Sequence, residues 1–133
     1  MTAEQVRDTV RSYLEAVGSR DGLERFLVED VTLTVAGVPG PVRGAGAVAR
    51  AVLHHYAVEF DARAEVVRIV ADPRGAGTEL LFVGTHVGDY AGIAPTGREV
   101  RVPLSMFFDV EDGRITAIRI YYSFEQVLEQ LRA

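Results

Sequence analysis

The stretch from Thr78 to Tyr122 constrains the fold of this chain more than any other. It begins with a β-rich segment, passes through a glycine-rich loop at 88–97, and continues as two more β-rich segments that flank Asp112-Gly113. Alternating segments that meet at an Asp-Gly pair are typical of a β-hairpin. The stretch is therefore predicted to form three strands in series.

The rest of the chain supplies helices and further strands around this centre. Thr2 and Gln5 stand at capping-box spacing before an apolar pattern of helical period, and Ser123 and Gln126 repeat that spacing near the end. In chain order we predict a first helix to Gly18, a short helix opened by Asp21, a strand over 31–35, a helix over 45–60, a strand over 63–71 and a closing helix after Ser123.

This order of elements predicts an α+β fold. A strongly curved antiparallel sheet would wrap around the N-terminal helices, and a short C-terminal helix would close the chain. The length of 133 residues corresponds to one domain, residues 1–133. The concave face of the sheet would then form the pocket.

Composition excludes several classes of protein. The chain has no cysteine, which rules out disulfides and thiolate ligands. Its basic residues are scattered and its net charge is −5, so it lacks the basic patch that nucleic-acid binding requires. No apolar run approaches the ~20 residues of a membrane span, and no signal peptide is evident, so we expect a cytoplasmic protein with no membrane partner. His54 and His55 are adjacent on a predicted helix and point about 100° apart, so we predict no metal site there. We also expect no cofactor.

Three short segments of the central stretch carry a resemblance to a known family: Gly84-Thr85-His86-Val87-Gly88, Gly92-Ile93 and Pro95-Thr96-Gly97-Arg98. They are similar to segments of the SnoaL-like polyketide cyclases, a branch of the NTF2-like cone-shaped α+β barrels. The resemblance implies a small-molecule cyclase or isomerase that acts on a hydrophobic, polyketide-like substrate. It also implies that Met106 stands at the position of the family's catalytic His and Ile120 at that of its catalytic Asp.

The turn at Asp112-Gly113 decides which side chains face the pocket. A two-residue loop would pair Met106 with Arg119 and mix polar and apolar residues on both faces of the hairpin. A three-residue loop ending in a left-handed Gly113 would pair Met106 with Ile118 and leave one face almost wholly apolar. We predict the three-residue loop, because a slip of one residue would place Arg119 in the core.

His86 and Tyr122 are the candidate catalytic residues. His86 alternates with Leu80, Phe82 and Gly84 and stands beside the glycine-rich loop, and an imidazole is the side chain best suited to acid–base chemistry near neutral pH. The alternative is a structural histidine that binds the loop backbone through one ring nitrogen. Tyr122 lies on the predicted pocket face, where its phenol would polarise a substrate as a hydrogen-bond donor, and the alternative is half-buried packing.

The candidate substrate-binding residues are mostly apolar side chains of the predicted concave face, with one carboxylate from the loop: Tyr13, Val35, Leu53, Tyr56, Phe82, Asp89, Met106, Phe108, Ile118 and Ile120. Two functions stay open. One is an enzyme that depends on His86, Tyr122 or shape selection, and the other is a non-catalytic protein that binds a hydrophobic ligand or fills the pocket with its own side chains. A cavity of roughly 300 Å³ or more would distinguish an open pocket from a filled one.

The outward face of the last hairpin is too apolar for a solvated sheet. Its residues are Pro103, Ser105, Phe107, Ala117, Arg119 and Tyr121. Members of the resembling family commonly pair through this surface, so we predict a two-fold homodimer.

Overall fold

One curved six-stranded sheet organises the chain in the computed structural model, which describes residues 1–133. The strands are β1 Leu27–Val35, β2 Val42–Arg43, β3 Phe60–Asp72, β4 Gly75–His86, β5 Glu99–Glu111 and β6 Arg114–Tyr122. The helices are α1 Ala3–Ser19, a short 3₁₀ helix Leu23–Phe26, α2 Ala45–Leu53, which continues as a π turn His54–Glu59, and α3 Phe124–Arg132. The predicted α+β cone with a short C-terminal helix is confirmed.

The sheet is mixed rather than wholly antiparallel. Its order is β2-β1-β6-β5-β4-β3, and the pairs β3–β4, β4–β5 and β5–β6 are antiparallel. β1 runs parallel to β6, with Val35 paired to Ile120. No hairpin joins β1 to β6, so no turn in the sequence dictates their relative direction. The parallel pair brings the end of β1 beside the end of β6.

Helix α1 lies across the concave side of the sheet, against β3 and β4. Its capping box is formed as predicted, because Thr2 Oγ1 accepts from the Gln5 amide at 3.1 Å and Gln5 Oε1 accepts from the Thr2 amide at 2.9 Å. The buried face of α1 carries Val6, Val10 and Tyr13. This face covers the inner surface of the sheet and forms one wall of the pocket described below.

The β5–β6 register differs from the predicted one. Asp112 and Gly113 form a two-residue loop with φ of 49° and 81°, the left-handed pair that a type I′ turn requires. A bulge then leaves Thr116 without a partner, because Val110 pairs with Ile115 whereas Asp109 pairs with Ala117. The extra residue restores the apolar alternation that a plain two-residue loop would have lost.

Because of the bulge, the residue pairs differ from the predicted ones, but the same side chains face inward. Met106 lies opposite Ile120 and Leu104 opposite Tyr122, whereas Arg119 lies opposite Phe107 on the outer face. The prediction was therefore wrong about the loop length and the partners. The expectation that Arg119 stays out of the core holds, since its guanidinium binds the Asp109 carboxylate on the outer surface at 2.9 and 3.0 Å.

The predicted helix over 45–60 changes its winding partway. After Leu53 the backbone continues as a π turn, and the Phe60 amide donates to His55 O, five residues back. Arg20 Nη2 donates to Tyr56 O at 3.1 Å, which ties this turn to the end of α1. The short helix before β1 also differs, because its N-cap is the left-handed Gly22 and not Asp21.

The closing helix α3 begins as predicted, with Ser123 Oγ accepting from the Gln126 amide at 3.2 Å. Val127 and Leu131 turn into the core. No helix of the structure combines the length and the apolar character that crossing a membrane requires.

Candidate functional site

A cavity of about 250 Å³ lies between the concave face of the sheet and the helices α1 and α2. Seventeen of its 18 lining residues are hydrophobic, and the exception is His55. The volume falls just short of the ~300 Å³ set as the lower bound of a useful ligand site. The criterion is therefore not met, although Met106 and Ile120 line the remaining space without filling it and Phe108 lies in the core outside it.

Seven of the sequence-predicted site residues line this cavity. They are Tyr13 from α1, Val35 from β1, Tyr56 from the π turn, Phe82 from β4, Met106 from β5, and Ile120 and Tyr122 from β6. Each strand residue follows the inward alternation of its strand, which is why the binary pattern predicted them. Met106 and Ile120 lie opposite each other across the β5–β6 ladder.

Four predicted residues lie away from the cavity. Phe108 and Ile118 point inward but are fully buried in the core, and Phe108 packs edge-on against the Tyr13 ring at 5.8 Å. Leu53 is half-buried at the end of α2, and Asp89 is exposed on the loop after β4. None of these four residues lines the cavity. The alternation of side chains in the sequence predicts which residues face inward, but it does not distinguish residues that line the cavity from residues that are packed in the core.

His86 is buried and does not reach the cavity. Its Nδ1 accepts from the Thr96 amide at 3.1 Å and lies 3.0 Å from Thr96 Oγ1. The backbone of His86 also binds the loop, because its amide donates to Arg98 O and its carbonyl accepts from the Gly97 amide. This geometry favours the structural alternative, in which His86 holds the Pro95–Arg98 segment in place.

Tyr122 lines the cavity at the end of β6, and its hydroxyl is 3.4 Å from the hydroxyl of Tyr90. Burial raises the pKa of Tyr90 above its ordinary value, and the hydrogen bond with Tyr122 adds to that effect. Tyr90 therefore keeps its proton at neutral pH. The two phenols form a hydrogen-bonding pair at one end of the cavity.

Two further phenols, Tyr13 and Tyr56, stand in the cavity wall. Burial raises the pKa of Tyr56 to about 12, and burial also raises that of Tyr13, with a smaller contribution from nearby Tyr56. The Tyr13 hydroxyl is fully enclosed and has no hydrogen-bond partner. This hydroxyl is a buried polar atom without a partner, and the side chain is 0% exposed, so the oxygen does not face the cavity.

His55 is the functional candidate that sequence reasoning missed. Its Nδ1 lies 3.0 Å from Glu59 Oε1, and His54 Nε2 is 3.9 Å from the other oxygen of the same carboxylate. Both His55 and Glu59 are only partly exposed. The available signal was the spacing of four residues between His55 and Glu59, which places a base and its carboxylate partner side by side on a helical segment.

Aromatic rings surround the His55 imidazole and define its orientation. The imidazole stacks on Phe82 with ring centroids 5.0 Å apart and meets Phe60 edge-on at 5.4 Å. The Tyr90 ring lies 5.9 Å away. The imidazole is thus held in one plane at the end of the cavity where Tyr122 also stands.

No group of three or more His, Asp or Glu side chains comes together to hold a metal ion. The His54, His55 and Glu59 side chains come nearest to such a group, but only His55 makes a close contact with the carboxylate. The chemistry of this site rests on an imidazole, a carboxylate and phenols in an apolar enclosure.

The curved sheet, the helices inside it and the apolar cavity define an α+β cone of the NTF2-like class. A candidate ketosteroid isomerase from Kribbella flavida has the same fold, with a TM-score of 0.72 and 19% identity, over 92% of this chain and 82% of that one. A SnoaL-like candidate cyclase from Jannaschia sp. CCS1 superposes with a TM-score of 0.89 at 17% identity, over 99% and 94% of the two chains.

The family model for the SnoaL-like polyketide cyclases matches residues 7–131, and the chain belongs to that family. A candidate polyketide cyclase from Xanthomonas campestris is similar in structure, with a TM-score of 0.87 and 25% identity, over 98% of this chain and 99% of that one. IdmH, a candidate polyketide cyclase from Streptomyces antibioticus, gives a TM-score of 0.79 and 27% identity over 95% and 97%. A sequence search of curated proteins found no significant match.

Proposed function

We propose that this protein is a small-molecule cyclase or isomerase acting on a hydrophobic, polyketide-like substrate held in the cavity. The observation that carries the proposal is the enclosed apolar cavity, whose single non-hydrophobic lining residue is His55. Sites for small molecules are mostly apolar clefts with a few placed polar groups, which is the composition seen here. Membership of the SnoaL-like family supports the same reaction class.

The cavity volume sets the size of the enclosed skeleton. A dry cavity of about 150 Å³ holds one benzene ring. A volume of about 250 Å³ therefore suits a compact skeleton of one or two rings. A longer substrate would keep its reacting part inside the cavity and leave the rest outside.

The substrate would be folded by shape and polarised by phenols. Met106 and Ile120 present only apolar surface where the resembling enzymes carry their His and Asp, so no carboxylate reaches the cavity from β5 or β6. Tyr122, which is hydrogen-bonded to Tyr90, donates to a carbonyl oxygen of the substrate. A bound, preorganised conformer lowers the entropic part of a cyclisation barrier.

The second candidate function is non-catalytic binding of a hydrophobic ligand. The apolar side chains of Met106 and Ile120 favour this function, because the resemblance to the SnoaL-like cyclases places them where those enzymes carry the side chains that transfer protons. Both functions need an open cavity. They differ only in whether the bound molecule reacts.

A filled-cavity variant tests the proposal. We expect Met106→Trp to abolish binding of 2-naphthol, a compact two-ring probe, in isothermal titration, because the indole occupies the space of the ligand. Phe107→Trp, on the opposite face of the same strand, is the matched control and should bind normally. Equal binding by both variants would show that the ligand lies elsewhere.

His86→Ala adds a second comparison. Since His86 holds the Thr96 segment and does not line the cavity, the variant should lower the melting temperature and leave the affinity for 2-naphthol nearly intact. A large loss of turnover in a folded His86→Ala protein would restore His86 as an acid–base residue.

We also propose a homodimer that pairs through the outer face of the sheet. Phe107 and Tyr121 are each 46% exposed there and pack edge-on against each other at 6.1 Å. The neighbouring Arg119–Asp109 ion pair is self-contained, so its charges are already compensated when the face is covered.

A further inference from the structure

We propose that His55, oriented by Glu59, is the general base of this protein and removes a proton from a carbon next to a carbonyl group of the bound molecule. Tyr122 is the hydrogen-bond donor to the enolate oxygen that forms. The proposal rests on the proposed function, since it requires a ketone-bearing hydrophobic molecule in the cavity. It assigns the chemistry to the π turn and not to the strand positions of Met106 and Ile120.

The hydrogen bond to Glu59 sets the tautomer of His55. A carboxylate can only accept, so the 3.0 Å contact requires the proton to lie on Nδ1 of the imidazole. In neutral His55 the Nε2 atom then carries a lone pair. No protein group binds Nε2, which leaves it free to accept a proton from a ligand.

The backbone of the π turn is fixed on both sides. The Val87 and Gly88 amides donate to Glu59 O at 3.1 and 3.0 Å, and Arg20 donates to Tyr56 O. Gly88 permits this approach, because a Cβ at that position would clash with Val58 O. π turns occur frequently at functional sites, and this one carries both members of the His55–Glu59 pair.

The donor and the base stand at the same end of the cavity. Tyr90 lies beside both, with its ring 5.9 Å from the His55 ring and its hydroxyl 3.4 Å from the Tyr122 hydroxyl. Both His55 and Tyr122 line the cavity. The proposal requires a bound ketone to place its oxygen at Tyr122 and its α-carbon at His55.

The step is a balanced proton transfer. The Nε2 lone pair of His55 takes the α-proton, the C–H electron pair becomes the C=C bond of the enolate, and the carbonyl π pair moves to oxygen. The imidazolium is stabilised by the Glu59 carboxylate. It returns its proton to the same carbon, or to another carbon of the conjugated system, which gives exchange or isomerisation respectively.

The experiment measures exchange of the α-protons of 2-tetralone, a two-ring ketone, in D₂O by proton NMR. We expect the wild-type protein to accelerate exchange, and His55→Gln to lower the rate by ~100-fold or more while the affinity for 2-naphthol changes little. His54→Gln is the matched control: His54 is exposed, adjacent and outside the cavity, and its variant should exchange at the wild-type rate.

Glu59 is tested as a positioning residue. Glu59→Gln keeps an oxygen that accepts from Nδ1 but removes the charge that stabilises the imidazolium. We expect the maximal exchange rate to fall about tenfold while the KM for 2-tetralone stays the same. A change in KM alone would indicate a purely structural role for Glu59 and overturn its assignment.

A measurement on the wild-type protein keeps the inference testable if a variant does not fold. Nitrogen-15 NMR of the histidine side chains should show neutral His55 with its proton on Nδ1. A neutral form protonated on Nε2 would overturn the proposal, because that atom could not act as a base.

The two proposals fail in different ways. If 2-naphthol binds but His55→Gln exchanges 2-tetralone at the wild-type rate, or the wild type does not accelerate exchange, the assignment of His55 is refuted and the binding cavity stands. If neither molecule binds the wild-type protein, the proposed function is refuted and the assignment of His55 with it.

Discussion

Replacing Tyr13 with phenylalanine should stabilise the protein, although most core substitutions destabilise. The Tyr13 side chain is 0% exposed, and its hydroxyl has no hydrogen-bond partner. Phenylalanine keeps the ring, which packs edge-on against Phe108 at 5.8 Å with an interplanar angle of 67°. The substitution therefore removes an unsatisfied polar atom and leaves the apolar contacts in place.

The expected gain follows from the cost of burying a polar group alone. An unpartnered buried hydroxyl costs about 1–3 kcal/mol, and we expect Tyr13→Phe to recover about 1 kcal/mol or more of the free energy of unfolding. For a domain of this size that gain corresponds to a rise in Tm of roughly 3–4 °C per kcal/mol.

Urea unfolding followed by circular dichroism measures the free energy of unfolding, and calorimetry measures Tm. Tyr56→Phe is the control, because the Tyr56 ring is also buried but its hydroxyl is not an enclosed, unpartnered atom. Only the Tyr13 variant should gain stability at neutral pH.

A Tyr13→Phe protein that is equally stable or less stable than the wild type would refute the reasoning. It would mean that the hydroxyl has a partner, such as an ordered water inside the cavity, whose hydrogen bond offsets the cost of burial.

Two further predictions concern pH and assembly. Because burial raises the pKa of Tyr56 from 10.0 to about 12, its contribution to stability is complete below the unfolded pKa near 10 and is lost as pH rises towards 12. Tyr56→Phe should therefore flatten the alkaline decline in the free energy of unfolding by roughly 1.4 kcal/mol per pH unit, and an unchanged slope in urea titrations would contradict the burial of this phenol. Light scattering at micromolar concentration should give the mass of a dimer. The double variant Phe107→Glu with Tyr121→Glu should have the mass of a monomer, because the dimer interface would bury unpaired charge. A monomeric wild type would rule out the dimer.

The sequence predicted correctly those features that depend on residues close together in the chain. The Thr2–Gln5 capping box and the Ser123 cap depend on residues three apart, and both formed as predicted. The alternation of β5 and β6 placed Met106 and Ile120 on the inner face, because side chains of a strand alternate whatever the partner. The segments within residues 84–98 indicated the SnoaL-like family, and the match of the family model to residues 7–131 confirmed that assignment.

The β5–β6 ladder shows where local rules stop. The sequence allows either hairpin loop, and the choice depends on a bulge at Thr116 that lets the apolar faces of two long strands meet. At the bulge the Thr116 hydroxyl donates to Asp109 O at 3.3 Å, and the Val110 amide donates to Arg74 O of the preceding turn at 2.9 Å. No short-range pattern in the sequence encodes the bulge.

The candidate site itself was decided by tertiary structure. From the sequence, His86 stood beside a glycine-rich loop and His55 on an ordinary helix. The fold instead buries His86 against Thr96 and turns His55 into the cavity. The reason is that helix period gives only the direction of a side chain relative to its own axis. Which side chain meets empty space depends on the π turn and on how closely α1 and α2 approach the curved sheet, and these are properties of the packed whole.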